Sequence, residues 1–135
     1  MSARHAVYSL LAEDPVLVQD FELGPDRIWA TYAIDALPRT GYTLVIRWGN
    51  HPFEIETHGP QDLSVWCYRS LDAGRDYAGH LRILERVIYL LTNTIGREGE
   101  DGYLNQAFAN GMSDDFVDEV YGATAMNASF TVLAR

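Results

Sequence analysis

The clearest pattern in the chain is a stripe of apolar residues past its middle, which predicts a long helix. Six apolar side chains follow one another at spacings of four, three, four, three and four, as on one face of an α-helix. They are Tyr77, Leu81, Leu84, Ile88, Leu91 and Ile95. Asp72 or Asp76 can cap the start of this helix, and Gly96 lies where a C-cap glycine belongs. We therefore predict a helix over about residues 76–95.

A weaker periodic segment predicts a short N-terminal helix over about residues 3–13. Ser2 can cap this helix, and Asp14-Pro15 ends it, because a residue that precedes proline disfavours helical backbone. Residues 16–24 are predicted to be a semi-apolar connector.

Segments in which apolar and polar residues alternate predict the strands. They are residues 26–32, 42–48, 63–69, 103–109 and 123–133, with a short strand at 53–56 inside an irregular connection, 49–60. Residues 97–102 are predicted as an acidic turn, and residues 110–119 as a polar loop with a short helical turn. Because the strands are grouped, we predict one α+β domain over residues 1–135. Its mostly antiparallel sheet is packed on one face by the long helix and the short N-terminal helix.

The formal net charge of −9 changes the range of expected partners. DNA phosphates repel an acidic protein, although such a protein can still surround DNA without gripping it. All ten cationic residues are Arg. Biased codon usage in a GC-rich genome explains this composition, and so does a use of Arg in subunit contacts, where it pairs with carboxylates in two-point fashion.

The cysteine count and the hydropathy pattern bear on the compartment. Cys67 is the only cysteine, so no internal disulfide can form and a reducing compartment fits. No apolar run is long enough to span a bilayer, and the N-terminus lacks the form of a cleavable signal. We expect a soluble intracellular product with no membrane association.

One segment resembles a metal site. His51, Glu54, Glu56 and His58 lie close together, and on a strand the last three would project to one side, where they could hold zinc. The spacing matches no zinc motif, and prolines interrupt the segment, so a solvated polar loop is the favoured interpretation.

Three further groups of residues carry side chains that could take part in chemistry. Cys67 could be a nucleophile with His80 as its base, but Cys67 alternates with apolar neighbours and is predicted to be a buried, inert thiol. His5 and His80 are predicted to be surface histidines on helices. An acidic group lacks the spacing of a calcium loop and is predicted to be solvated; it comprises Asp114, Asp115, Asp118 and Glu119. The sequence predicts no catalytic residue, no metal and no cofactor.

The large aromatic residues indicate an interface. Helices cover only one face of the predicted sheet, so tryptophans and tyrosines on both faces leave apolar surface for a partner. Tyr, Trp and Arg are enriched in such contacts. The residues predicted to contribute to subunit contacts are Tyr42, Arg47, Trp48, Trp66 and Tyr68.

Several runs follow one another in a recognisable order after the N-terminal helix. They are Asp26-Arg27-Ile28, the strand at 62–69, Gly74-Arg75-Asp76-Tyr77, Glu98-Gly99-Glu100-Asp101-Gly102 and Asn127-Ala128-Ser129-Phe130-Thr131-Val132. In this order and spacing, most of the chain resembles the tail terminator proteins of siphoviruses, the long-tailed bacteriophages, especially those that infect actinobacteria. None of these runs is a catalytic signature.

The resemblance implies a structural virion protein without enzymatic activity or a cofactor. Six copies would form a ring on the head-proximal end of the tail tube, assembled in the host cytoplasm. The ring would stop polymerisation of the major tail protein and join the tail to the head–tail stopper protein, while DNA passes through the channel without specific binding. The acidic segments 97–102 and 112–119 would face the channel or the axial partners.

Two alternatives stay open from the sequence. One is a head–tail stopper or a minor tail protein. The other is a small cytosolic enzyme or ligand-binding module that uses Cys67, His51 and His58.

Overall fold

A computed structural model describes residues 4–29, 37–49, 59–100 and 102–134. The predicted cap at Ser2 and the predicted strand at 53–56 lie outside these residues. The cluster of His51, Glu54, Glu56 and His58 lies outside them as well.

The described residues form three α-helices and seven strands, which is the predicted α+β class. The helices are α1 (Arg4–Ala12), α2 (Pro15–Phe21) and α3 (Tyr77–Asn93). The strands are β1 (Ile28–Trp29), β2 (Tyr42–Trp48), β3 (Gly59–Ser70), β4 (Arg97–Glu98), β5 (Tyr103–Met112), β6 (Phe116–Asp118) and β7 (Ala123–Ala134).

The seven strands form one sheet in the order β1-β2-β3-β7-β5-β4, and β6 also pairs with β7. Strands β1 and β2 are parallel, and every other described pair is antiparallel. Strand β7 pairs with β3 along all of its 12 residues. On its other side it pairs with β5 at one end and with β6 at the other. The prediction of a mostly antiparallel sheet is confirmed.

The three helices pack on one face of this sheet. Alternation along the strands directs every second side chain to that face, where it is removed from water. The sheet residues buried there include Leu44, Ile46, Leu63, Val65, Cys67, Ala128, Phe130 and Val132. Each large apolar side chain buried in this way stabilises the fold by roughly 1.5–3 kcal/mol relative to an exposed one.

The buried face of α3 differs in part from the predicted stripe. Leu84 and Leu91 are buried as predicted, but Leu81 is 40% exposed and Ile95, beyond the helix, is 78% exposed. The helix is rotated so that its buried face is instead completed by Gly79, His80, Ile83 and Val87. Both sets of positions have helical spacing, so spacing alone could not fix the rotation.

Asp76 begins α3, as one of the two predicted caps. Its carboxylate accepts a hydrogen bond from the Gly79 amide at 3.1 Å and another from the Tyr42 hydroxyl. A side chain at Gly79 would overlap that hydroxyl, so the close approach of β2 requires glycine there. The predicted cap at the other end is wrong, since Thr94 is the C-cap. Gly96 follows two residues later with a φ of 78°.

The predicted connector at 16–24 is wrong in its first part, which forms α2. Asp14 caps this helix by accepting a hydrogen bond from the Leu17 amide at 3.0 Å, and Pro15 occupies the first turn. Proline is well tolerated there because the first amides of a helix have no intrahelical partner. Asp14-Pro15 therefore ends α1, as predicted, and also starts the next helix.

The predicted polar loop at 110–119 is also wrong in part. Strand β5 continues to Met112, and β6 forms at Phe116–Asp118 with no helical turn. The strand signal is weak here because residues 108–112 are all exposed, so no face requires alternating apolar residues. Strand β4 occupies Arg97–Glu98, the first two residues of the predicted acidic turn at 97–102.

Candidate interaction surface

The five residues predicted to form an interface lie on opposite faces of the sheet. Tyr42 and Trp48 belong to the helix-covered face. Arg47, Trp66 and Tyr68 lie on the other face, on which none of the described helices packs and which we call the helix-free face. The β2–β3 register explains this, because it pairs Val45 with Trp66. Arg47, Trp48 and Trp66 are partly exposed, while Tyr42 and Tyr68 are buried within one copy of the chain.

On the helix-free face, Arg47, Trp66 and Tyr68 form a compact group. The Arg47 guanidinium lies 4.3 Å from the centre of the Trp66 ring and donates a hydrogen bond to the Tyr68 hydroxyl at 2.9 Å. The Trp66 and Tyr68 rings are stacked, with an interplanar angle of 13°. The cation–π contact and the hydrogen bond both favour this position of the Arg47 guanidinium over the Trp66 ring.

Neighbouring aromatics cover this group from the side of β6. The Phe116 ring lies edge-on to the Trp66 ring, with 5.9 Å between the ring centres. The centres of the Tyr121 and Tyr68 rings are 5.4 Å apart. Burial raises the pKa of Tyr68 to about 12, so its hydroxyl stays protonated and accepts the Arg47 hydrogen bond. We call Arg47, Trp66, Tyr68, Phe116 and Tyr121 the outer aromatic cluster.

Strands β5 and β7, beyond this cluster, carry no charge of their own, although the exposed Asp62 on β3 pairs with Thr131 of β7. Neither β5 nor β7 contains an Asp, Glu, Lys or Arg residue, although the whole chain has a net charge of −9. Hydrogen bonds between neutral side chains, such as Asn110 to Thr131 at 2.9 Å, replace ion pairs on this part of the helix-free face. A partner that is also acidic is repelled least where the surface that it approaches carries no charge.

Sequence reasoning did not identify an open cleft beside the outer aromatic cluster. Its volume is about 410 Å³. It is lined by Leu37, Arg39, Ser70, Leu71, Asp72, Val120, Tyr121 and Gly122. Leu71 and Val120 are exposed, and Arg39 lies 4.0 Å from Asp72 across the rim. No periodic signal marks these residues, because they come from three separate turns.

Cys67 and His80 meet in the interior, so the predicted surface position of His80 is wrong. His80 is fully buried, with Nδ1 3.0 Å from Cys67 Sγ and Nε2 2.9 Å from Thr124 Oγ1. Burial lowers the pKa of His80 to about 4 and raises the pKa of the Cys67 thiol. Both groups are therefore neutral at pH 7 and lie inside the helix-covered core. The predicted buried thiol is confirmed.

The acidic residues at 114–119 do not gather into a metal-binding group. Asp118 instead accepts hydrogen bonds from the amides of Val120 and Tyr121, which closes the turn after β6. Within the described ranges, no three His, Cys, Asp or Glu side chains are arranged to hold a metal ion. Among the helices that the structure describes, none combines the length and the apolar character needed to cross a membrane.

Comparison with known proteins gives a likeness of fold. No protein-family model matches the chain, and no curated protein matches it. Among solved structures, it is similar to a chain from the virion of a native gene transfer agent (GTA) particle, with a TM-score of 0.70 and 15% sequence identity. The match covers 97% of this chain and 92% of that chain. At this identity the likeness establishes a shared fold over nearly the whole of both chains.

Proposed function

We propose that this protein is a structural component of a phage-like virion, and that it acts as the tail terminator. In this role a ring of copies caps the head-proximal end of the tail tube, stops its polymerisation and joins the tail to the head connector. The observation that carries the proposal is the fold shared with a gene transfer agent virion chain over 97% of the present sequence. The order of segments that resembles siphovirus tail terminators supports the finer assignment.

The charge distribution supports a ring through which DNA passes. A protein with a net charge of −9 repels phosphates, so DNA would slide through such a ring without being held. The acidic segments at 97–102 and 112–119 are the parts that we assign to the channel or to the axial partners. Those partners are the major tail protein on one side and the head–tail stopper protein on the other.

The outer aromatic cluster supports contacts between neighbouring copies. Arg47 and Trp66 are partly exposed and held in one arrangement, which lowers the entropy that an interface has to remove on binding. Trp48 is partly exposed on the other face, where the Arg4 guanidinium lies 5.5 Å from its ring centre. We therefore assign subunit contacts to Arg47, Trp48 and Trp66, while Tyr42 and Tyr68 support them from inside.

The experiment that tests this function is deletion of the coding sequence from its phage. Loss of a tail terminator gives overlong tails that do not join heads, because nothing stops growth of the tube. Loss of a head–tail stopper leaves tails of normal length unattached, and loss of a minor tail protein leaves the head end of the tail intact. Electron microscopy of the particles, together with location of a ring of this chain at the head–tail joint, separates these outcomes.

A further inference from the structure

Among the described residues, one edge of the sheet is open over a long uncharged stretch. Strand β4 pairs with β5 only at Tyr103 and Leu104, and the Gly96 amide adds one hydrogen bond to the Asn105 carbonyl at 3.0 Å. Beyond that point, no strand in the described part of the chain pairs with the outer side of β5. We call residues 106–112 the open edge of β5.

The open edge lacks the usual protection against strand pairing. Exposed edges are normally blunted by charged residues, by proline or by a covering element, because their free N–H and C=O groups accept another strand. Residues 103–113 contain no charged residue and no proline. Phe108 is 46% exposed and Met112 is 41% exposed, so apolar side chains flank the free backbone groups.

We propose that a second copy of this chain adds to the open edge of β5 and continues the sheet from one copy to the next. Calling that partner a second copy rests on the proposed ring. Charge supports the choice of partner, because two copies that each carry a net charge of −9 repel one another except where their surfaces are neutral. The open edge and the neighbouring β7 contain no charged residue of their own.

The other edge of the described sheet lies at its opposite end, at β1. Strand β1 pairs only with β2 among the strands that are described, so Ile28 and Trp29 also end the sheet. Joining the β5 end of one copy to the β1 end of the next uses two different patches, as a closed ring requires. Register shifts near Gln106 and Gly111 bend β5, which favours a curved rather than a flat continuation.

The test compares association of the full chain with that of two charge variants. Phe108→Glu adds a negative charge on the open edge. Tyr89→Glu makes the same kind of change at an aromatic that is 56% exposed on the back of α3. We expect Phe108→Glu to weaken association by about tenfold or more, and Tyr89→Glu to leave it near the wild-type value. Sedimentation velocity over a range of protein concentrations measures this, with circular dichroism to confirm that each variant is folded.

Hydrogen exchange and salt give two independent measurements. Amides at 106–112 and at Ile28 and Trp29 should become protected as the protein concentration rises. Association should strengthen with added salt, which screens the repulsion between acidic copies. Ala109→Glu, at a second position on the same edge, should act like Phe108→Glu.

The outcomes separate this inference from the proposed function. If rings form equally well with both edge variants, or if association protects other amides and not these, the open edge is not the contact and the ring still stands. If the wild-type chain stays monomeric at every concentration, the inference is overturned. Tail length after deletion of the coding sequence tests the function independently of either result.

Discussion

Arg86 on α3 donates two parallel hydrogen bonds to the carboxylate of Asp14, which lies between α1 and α2. Its Nε donates to Oδ2 at 3.0 Å and its Nη2 donates to Oδ1 at 2.8 Å. The Asp14 side chain is 3% exposed and also caps α2, so one carboxylate joins all three helices. The Arg86 hydrogen bonds, with the α2 amides, hold the pKa of Asp14 below its ordinary value of 3.8.

Asp14→Ala should destabilise the fold by about 3 kcal/mol, because it removes a helix cap and leaves Arg86 without its carboxylate. The pKa of Asp14 is lower in the folded state than in the unfolded state. Its contribution to folding stability is therefore complete above the unfolded-state pKa and is lost as the pH falls through the folded-state pKa. Urea unfolding of the wild type and the variant at a series of pH values measures both effects. Glu85→Ala, an exposed change on the same helix, is the control and should cost under about 0.5 kcal/mol. A loss of the same small size for Asp14→Ala would contradict the prediction.

His80 should make stability depend on pH in a separate window. Burial in the core lowers its folded-state pKa to about 4, while its ordinary value is 6.5. The nearby Asp76 carboxylate opposes this effect, and Arg69 adds to it. The neutral imidazole therefore stabilises the fold fully above pH 6.5, and this contribution of about 3 kcal/mol is lost as the pH falls from 6.5 to about 4.

His80→Gln isolates this effect, since glutamine keeps hydrogen-bonding groups near Cys67 and Thr124 but does not titrate in this range. The difference in unfolding free energy between the wild type and the variant should shrink as the pH is lowered from about 7 to about 4.5. A difference that stays constant over this range would show that the buried imidazole does not carry the effect.

Cys67 should be unreactive while the protein is folded. Its side chain is fully buried, so a reagent cannot reach it. Burial also raises the pKa of its thiol, so the reactive thiolate does not form at neutral pH. A thiol reagent such as Ellman's reagent should react with it only after unfolding in urea, with a native rate at least about a hundredfold below the unfolded one. Rapid labelling of the native protein would instead favour the enzyme or ligand-binding alternative.

Trp48→Ala and Trp66→Ala, made separately, test the assigned subunit contacts. Each residue is partly exposed, so each change should cost about 2 kcal/mol of folding stability at most and leave the chain folded. We expect each variant to lose ring mass and to join tails poorly, as measured by native mass spectrometry and electron microscopy. Unchanged ring mass and tail joining in both variants would rule out the subunit contacts assigned to Trp48 and Trp66.

The regular elements could be predicted from sequence where one face of the element is buried. Residues 42–48 place an apolar side chain at every second position, on the face that the helices cover, and the predicted strand agrees with Tyr42–Trp48. Helix α2 could not be found by periodicity, because its seven residues cover only about two turns. Its cap and its proline are present in the sequence, but Asp14-Pro15 is equally typical of a helix end.

The candidate interface was harder to predict because it depends on pairing between distant strands. Period-two alternation alone puts Arg47 on the face opposite Tyr42 and Trp48. Only the β2–β3 register brings Trp66 and Tyr68 to the side of Arg47. The position of His80 depends in the same way on how α3 is rotated about its axis, which helical spacing does not determine. The assignment of these residues to an interface stays a prediction until the variants are measured.

The central position of β7 has a consequence for biosynthesis. It lies between β3 on one side and β5 and β6 on the other, yet it is the last of these strands to leave the ribosome. Until residues 123–134 emerge, the two halves of the sheet cannot be joined. Strands β3 and β5 then each have an unpaired edge at which another nascent chain can bind.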